Sequence, residues 1–200
     1  AWQFTPGGYA DSDSCRRLYN YRICALAEYG WNADGRSARD FAEAWACRQG
    51  FRDPAGFLAW IDAMAMPQAA RLESCWPRQL YSSWFGRLWQ MVSARRWDES
   101  LFKPAEIEPG IRKAEQALAL AETLGDQDLI RASRQLLAYC RLEQAGYGYI
   151  AGLQTTDPAD AAQTQASDAR LGLFRAALRD YVQARLDAAG GFMASGILEG

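Results

Sequence analysis

The chain has 200 residues, half of them hydrophobic and 23% charged, which suits one folded domain or one and a half, with a buried core. Its net charge of −2 argues against a nucleic-acid partner or an anionic membrane surface, both of which select a basic face. No apolar run approaches the ~20 residues that span a bilayer, and the absence of histidine removes the commonest general base and the commonest metal ligand together.

Residues 1–11, with Trp2, Phe4, Pro6, Gly7, Gly8 and Tyr9, read as a short extended piece and a turn. The opening AWQFTPGGYADSD has neither an initiator Met nor a charged-then-apolar leader pattern, and we expect a fragment of a longer protein. Ser12 or Asp13 offers an N-cap for a helix over 13–29 that ends near Gly30. In the loop WNADGRS, Asp34-Gly35 signals a turn, and Ser37 with Asp40 forms a variant capping box. The helix that follows, 38–49, carries Phe41, Ala44, Trp45 and Arg48 at three-to-four spacing and stops at Gly50. Asp53-Pro54 is an N-cap and first-turn pair for a short helix ending before Pro67.

Residues 68–100 are rich in aromatics, with Trp76, Tyr81, Trp84, Phe85, Trp89 and Trp97. Trp84, Leu88 and Met91 share a helical face, which reads first as the core of a helical subdomain and second as a sugar-stacking platform. The stretch 102–110, FKPAEIEPG, reads as a linker with two prolines. From Ile111 the pattern changes. One stripe runs through Ile111, Ala114, Leu118, Ala121 and Leu124 to a stop at Gly125. A second helix from 127 to about 150 carries Leu129, Ser133, Leu136 and Cys140, and a third over 160–189 carries Leu171, Phe174, Leu178 and Tyr181. Three amphipathic helices with short or polar connections predict an antiparallel bundle. The polar stretch TTDPADAAQTQASDA is either a loop or a frayed helix start.

Five cysteines, Cys15, Cys24, Cys47, Cys75 and Cys140, are odd in number and form no C-x-x-C pair, which argues against zinc. Cys24 and Cys140 read as buried small hydrophobes. Disulfide pairing stays open, and so does the compartment. No P-loop, dinucleotide fingerprint or nucleophile elbow occurs, and no Ser/His or Cys/His nucleophile is possible. The adjacent acids Asp98-Glu99 read as a solvated helix terminus. We therefore expect no catalytic residues, no metal and no cofactor within the chain itself.

The run Arg22, Ala25, Ala27, Glu28, Trp31 spells R-x-x-A-x-A-E-x-x-W. It resembles the last barrel helix of the family 20 glycoside hydrolases, the β-N-acetylhexosaminidases, where P-R-x-x-A-x-A-E-x-x-W closes a (β/α)8 barrel. ARDFAEAWACRQG (38–50) occupies the place of that family's next helix, and Trp31-Asn32 looks like the W-N-P element that follows the barrel in related hexosaminidase-like families. Tyr21 stands where the family has proline. The resemblance implies an all-α chain as it stands: the last strand and helix of a (β/α)8 barrel (1–32), an aromatic-rich helical subdomain (33–104) and an antiparallel three-helix bundle (105–200). It implies a partly buried Arg22–Glu28 pair tying helix to barrel, and Trp31 plugging the barrel's edge. It also implies catalytic Asp and Glu encoded before residue 1, a substrate-assisted mechanism, a carbohydrate substrate, the remainder of its own barrel as partner, and a periplasmic or secreted location. The family's G-G-E strand end is here Gly7-Gly8-Tyr9, with no Glu before Glu28. Trp2, Tyr9 and Asp11, or Asp13, would then contact sugar, with ordinary packing of Trp2 and Tyr9 as the alternative. Two other readings compete: a free-standing all-α protein-interaction module, and a helical carbohydrate-binding module using the Trp-rich stretch 76–97.

Overall fold

The computed structural model describes residues 16–32, 34–69, 90–99 and 102–188. Six helices make up its main elements: α1 (Arg16–Trp31), α2 (Ala38–Arg48), α3 (Pro54–Met64), α4 (Ile107–Leu124), α5 (Gln127–Thr155) and α6 (Ala161–Ala188). Among the described residues there is no strand, so the chain is all-α as expected. The N-terminal extended piece and most of the aromatic-rich stretch, including Trp76, Trp84 and Trp89, lie outside the described residues.

The helix ends follow local chemistry. Ser37 caps α2, its Oγ accepting from Asp40 N at 3.1 Å, while the hydroxyl donates to the Asp40 carboxylate at 2.7 Å. This is half of a capping box, because the short Asp side chain engages the cap hydroxyl. Asp53 Oδ1 caps α3 by accepting from Gly56 N at 2.9 Å. Gly50 (φ +80°) and Gly125 (φ +69°) adopt the left-handed conformation that closes α2 and α4. After α2, Phe51 N donates to Ala46 O and Gly50 N to Cys47 O, the paired bonds of a Schellman motif. The same pair recurs where Arg96 N reaches Met91 O and Arg95 N reaches Val92 O. There the left-handed position holds Arg95 (φ 52°), which carries a Cβ penalty that glycine avoids.

Helix α1 ends at Trp31, within one residue of the stop expected near Gly30. Other boundaries move from the sequence expectation. The proline-containing stretch 102–110 is only in part a linker. Pro104–Glu106 forms a 3-10 turn and α4 already begins at Ile107. Pro109 falls in the first helical turn, where its missing N–H is not needed. Gly110 is buried there against Gln68, whose amide atoms a Cβ would meet at 2.7 Å. Gln68 Nε2 in turn donates to Glu106 O at 3.0 Å. Helix α5 runs on to Thr155, and the polar stretch after it resolves into a loop and the start of α6. Asp160 caps α6, accepting from Ala162 N at 2.9 Å and Gln163 N at 3.2 Å. The backbone bond from Gln163, then that from Ala162, holds its carboxyl below the ordinary range. Asp98-Glu99 lies beyond the helix that ends at residue 94, in a turn whose Asp98 N donates to Met91 Sδ.

The chain divides into two compact units that are not contiguous in sequence. The first gathers the described residues of Ala1–Ala65, Ala114–Arg134 and Arg185–Gly200. Its core is an aromatic cluster: Trp45 stacks on Phe57 (5.2 Å), Phe51 meets Phe57 (4.8 Å), and Tyr21 sets its edge against Trp45 (5.3 Å). Fully buried Trp60 extends the stack from Phe57. Its indole Nε1 donates to Ser133 Oγ at 2.9 Å, and that hydroxyl donates to Leu129 O at 2.8 Å. Helices α4 and α5 form an antiparallel hairpin about Gly125 in this unit, with Arg134 reaching back to Glu122 at 3.5 Å.

The second unit comprises the described residues of Met66–Lys113 and Gln135–Ala184. Trp97, Phe102, Tyr139, Leu142, Ile150, Phe174 and Tyr181 build its core. Trp97 Nε1 donates to Phe102 O at 2.7 Å and its ring meets the edge of Tyr147. Helices α5 and α6 run antiparallel here, since Tyr139 pairs with Tyr181 and Tyr149 stacks on Phe174. Of the expected stripe residues, Leu129, Ser133, Leu136, Cys140, Phe174 and Tyr181 are buried, while Leu171 and Leu178 are half-buried. On α4 the buried stripe is Ile107, Ile111, Ala114, Ala117 and Ala121, leaving Leu118 and Leu124 half-buried.

Two outcomes follow. Ser133→Ala removes the acceptor of a buried indole N–H, and urea unfolding should show a loss of about 1–3 kcal/mol. Arg95→Gly should raise stability by about 1 kcal/mol in the same assay by relieving the left-handed backbone.

Candidate functional site

Trp2, Tyr9 and Asp11, the residues expected to contact sugar, lie outside the described residues, as does Asp13. What the structure does bring together is the R-x-x-A-x-A-E-x-x-W helix and the helix after it. Cys24, Ala27, Glu28 and Trp31 of α1 follow i, i+3, i+4, i+7 spacing, and so do Phe41, Ala44, Trp45 and Arg48 of α2. These two stripes, with Asn32 and Arg36 of the connecting loop, line an open groove of about 420 Å³. The small Ala27 and Ala44 leave its middle unfilled. Phe41 and Trp45 are buried and form an aromatic floor, whereas Trp31 is 92% exposed.

The polar groups are placed by the loop. Arg36 Nε donates to Glu28 Oε1 at 2.9 Å, and the Arg36 guanidinium lies 5.8 Å from the Phe41 ring centre. This pair bridges loop and helix at a partly solvated site, where such a contact contributes at most about 1 kcal/mol. It replaces the expected Arg22–Glu28 pair: Arg22 is exposed, and the turn at 34–36 brings Arg36 to Glu28. Trp31, expected as a plug, projects into solvent at the groove's lip. Cys24, expected to be buried, is exposed because its face of α1 looks into the groove; Cys47 is also exposed and Cys140 is buried, all three as free thiols. Arg48 closes the other end in the last turn of α2, where a cation suits the helix dipole.

The spacing of Phe41, Ala44, Trp45 and Arg48 identifies one face of α2 but distinguishes a groove wall from an ordinary helical stripe in no way. Nothing in the sequence points to Arg36, because its contact with Glu28 depends on how the loop folds. Among the described residues no three Cys, Asp or Glu side chains converge on a point that would hold a metal ion. No helix there is long and apolar enough to cross a membrane.

Behind the groove, Tyr21 touches Phe41, Trp45 and Phe57. Burial pushes its phenol pKa up, with the Tyr29 and Asp62 charges adding to the rise and Arg22 opposing it. Compared with family models, curated proteins and solved structures, the chain matches none.

The Tyr21 shift has a definite sign. With the folded pKa above the unfolded value of about 10, the native state holds its proton longer, so stability is constant below that pH and falls as pH rises through it. Comparing urea midpoints of the parent and Tyr21→Phe between about pH 8 and 11 should show a shallower alkaline decline in the variant. Equal declines would mean that Tyr21 titrates alike in both states.

Proposed function

We propose that this chain is the C-terminal part of a glycoside hydrolase acting on N-acetylhexosamine-type glycosides, with the catalytic carboxylates supplied by a barrel encoded upstream. The observation that supports this reading is the outward face of α1. Ile23, Leu26 and Gly30 fall at i, i+3, i+7 on the helix that carries the R-x-x-A-x-A-E-x-x-W run, away from the α2 contact. Ile23 is half-buried, Leu26 is 51% exposed, and no atom approaches within 4 Å of where a Gly30 Cβ would stand. An apolar helix face of this kind is stabilised when another element covers it. Gly30, with no side chain, allows the close approach that packing on a barrel sheet requires.

The reaction in this reading is hydrolysis assisted by the substrate's own acetamido group, with an upstream Asp-Glu pair as the acid and the orienting group. A free-standing all-α interaction module is the competing reading, and the two internally packed aromatic cores favour it.

The deciding experiment extends the open reading frame upstream of Ala1. The glycosidase reading expects strand–helix units ending in an adjacent Asp-Glu pair, and an extended protein that hydrolyses 4-nitrophenyl N-acetyl-β-D-glucosaminide while residues 1–200 alone do not. Leu26→Asp should change the stability of the 200-residue chain by less than ~0.5 kcal/mol but cost the extended protein ~2 kcal/mol or more. A start codon next to Ala1, or an extended protein indifferent to Leu26→Asp, would leave the interaction module in its place.

A further inference from the structure

We propose that the α1–α2 groove is a binding site for an anionic sugar unit, a hexuronate, with Trp31 as stacking platform and Arg48 as the carboxylate contact. The proposal does not rest on the glycosidase reading, which is argued from the Ile23, Leu26 and Gly30 face of α1.

The groove's volume of about 420 Å³ lies within the range of small-ligand sites. Its composition narrows the ligand. Phe41 and Trp45 present apolar surface at the floor, and Trp31 adds an indole face that is almost wholly solvated. A purely hydrophobic ligand gains most from enclosure, which an indole 92% exposed does not provide. A ligand with one weakly apolar C–H face and a hydrated remainder suits it better, and a pyranose ring has that form. Asn32 supplies an amide donor and acceptor, and Glu28 an acceptor, both able to bond ring hydroxyls.

The charge selects within the sugars. Three ionised groups line the groove: Glu28, Arg36 and Arg48. Glu28 and Arg36 neutralise each other at 2.9 Å. Arg48 makes no ion pair among the described residues, so the site carries one uncompensated positive charge. Its planar guanidinium matches a carboxylate bidentately. A dianionic phosphate would exceed that charge and face the Glu28 carboxylate in the wall. A single carboxylate on a pyranose meets both conditions.

Cys24 provides the readout, since its exposed thiol lines the groove, whereas exposed Cys47 does not and serves as an internal control. The 200-residue chain is alkylated with iodoacetamide, and the rate at each cysteine is read by peptide mass spectrometry against increasing methyl β-D-glucuronide. At ligand ten times its Kd, Cys24 should react about tenfold more slowly and Cys47 at an unchanged rate. Methyl β-D-glucoside, which lacks the carboxylate, should protect at least ~10-fold less well at equal concentration, the loss of a charge-assisted contact. Arg48→Gln should abolish the preference for the charged sugar, and Trp31→Ala should abolish protection by both. Trp31 is solvated, so its removal leaves the fold intact, as circular dichroism will verify. The proposal is overturned if the glucuronide leaves Cys24 unprotected, slows both cysteines alike, or protects no better than the glucoside. Full protection in Trp31→Ala would overturn it equally.

Discussion

The first unit depends on the indole N–H of Trp60. Trp60 is wholly buried, and a donor in that position without an acceptor would cost about 1–3 kcal/mol. Ser133, 73 residues away, accepts it and passes its own proton to Leu129 O one turn back, so each polar group in the chain of bonds is used. This is why a serine occupies a position on α5 otherwise given to Leu129, Leu136 and Cys140. The bond also orients Trp60 beneath Phe57, and through Phe57 it sets Trp45, Phe51 and Tyr21. The groove's floor is the upper surface of that stack.

The groove therefore combines a rigid floor with a lip held only by local contacts. Phe41 and Trp45 are buried by the core, and α2 is capped at both ends by Ser37 and Gly50. Trp31 and Arg48 have no such support, and Arg36 is held by one ion pair and its place over the Phe41 ring. A site of this kind presents fixed apolar surface together with polar groups free to turn toward a ligand. A neighbouring face of α1 carries Ile23, Leu26 and Gly30.

Much of the fold is legible in the sequence because its determinants are local. The caps Ser37 and Asp53 and the stops Gly50 and Gly125 act within a few residues, and each bounds its helix as the sequence indicates. The periodic stripe of α5 names its buried residues correctly. Local signals mislead where a stronger effect outweighs them. Pro109 does not mark a linker, because a proline in the first turn is compatible with a helix. Cys24 has apolar neighbours in sequence, which suggest burial, whereas its neighbours in space are the open walls of a groove. The candidate groove is legible only as two separate stripes, because the turn that faces them toward each other leaves no periodic trace.

By itself, then, the sequence determined the helical class, most helix ends and the buried stripes, all of which follow from hydrogen bonding and periodicity within a few turns. The absence of histidine likewise excludes imidazole chemistry from this chain on composition alone. The tertiary structure decided which residues meet: Arg36 with Glu28, Trp60 with Ser133, and the two stripes that enclose the groove. It also decided that the compact units interleave along the chain, since residues 114–134 join the first and 135–184 the second. These outcomes rest on contacts between segments distant in sequence, and no periodicity encodes the partner of an exposed arginine or the space left between two alanines.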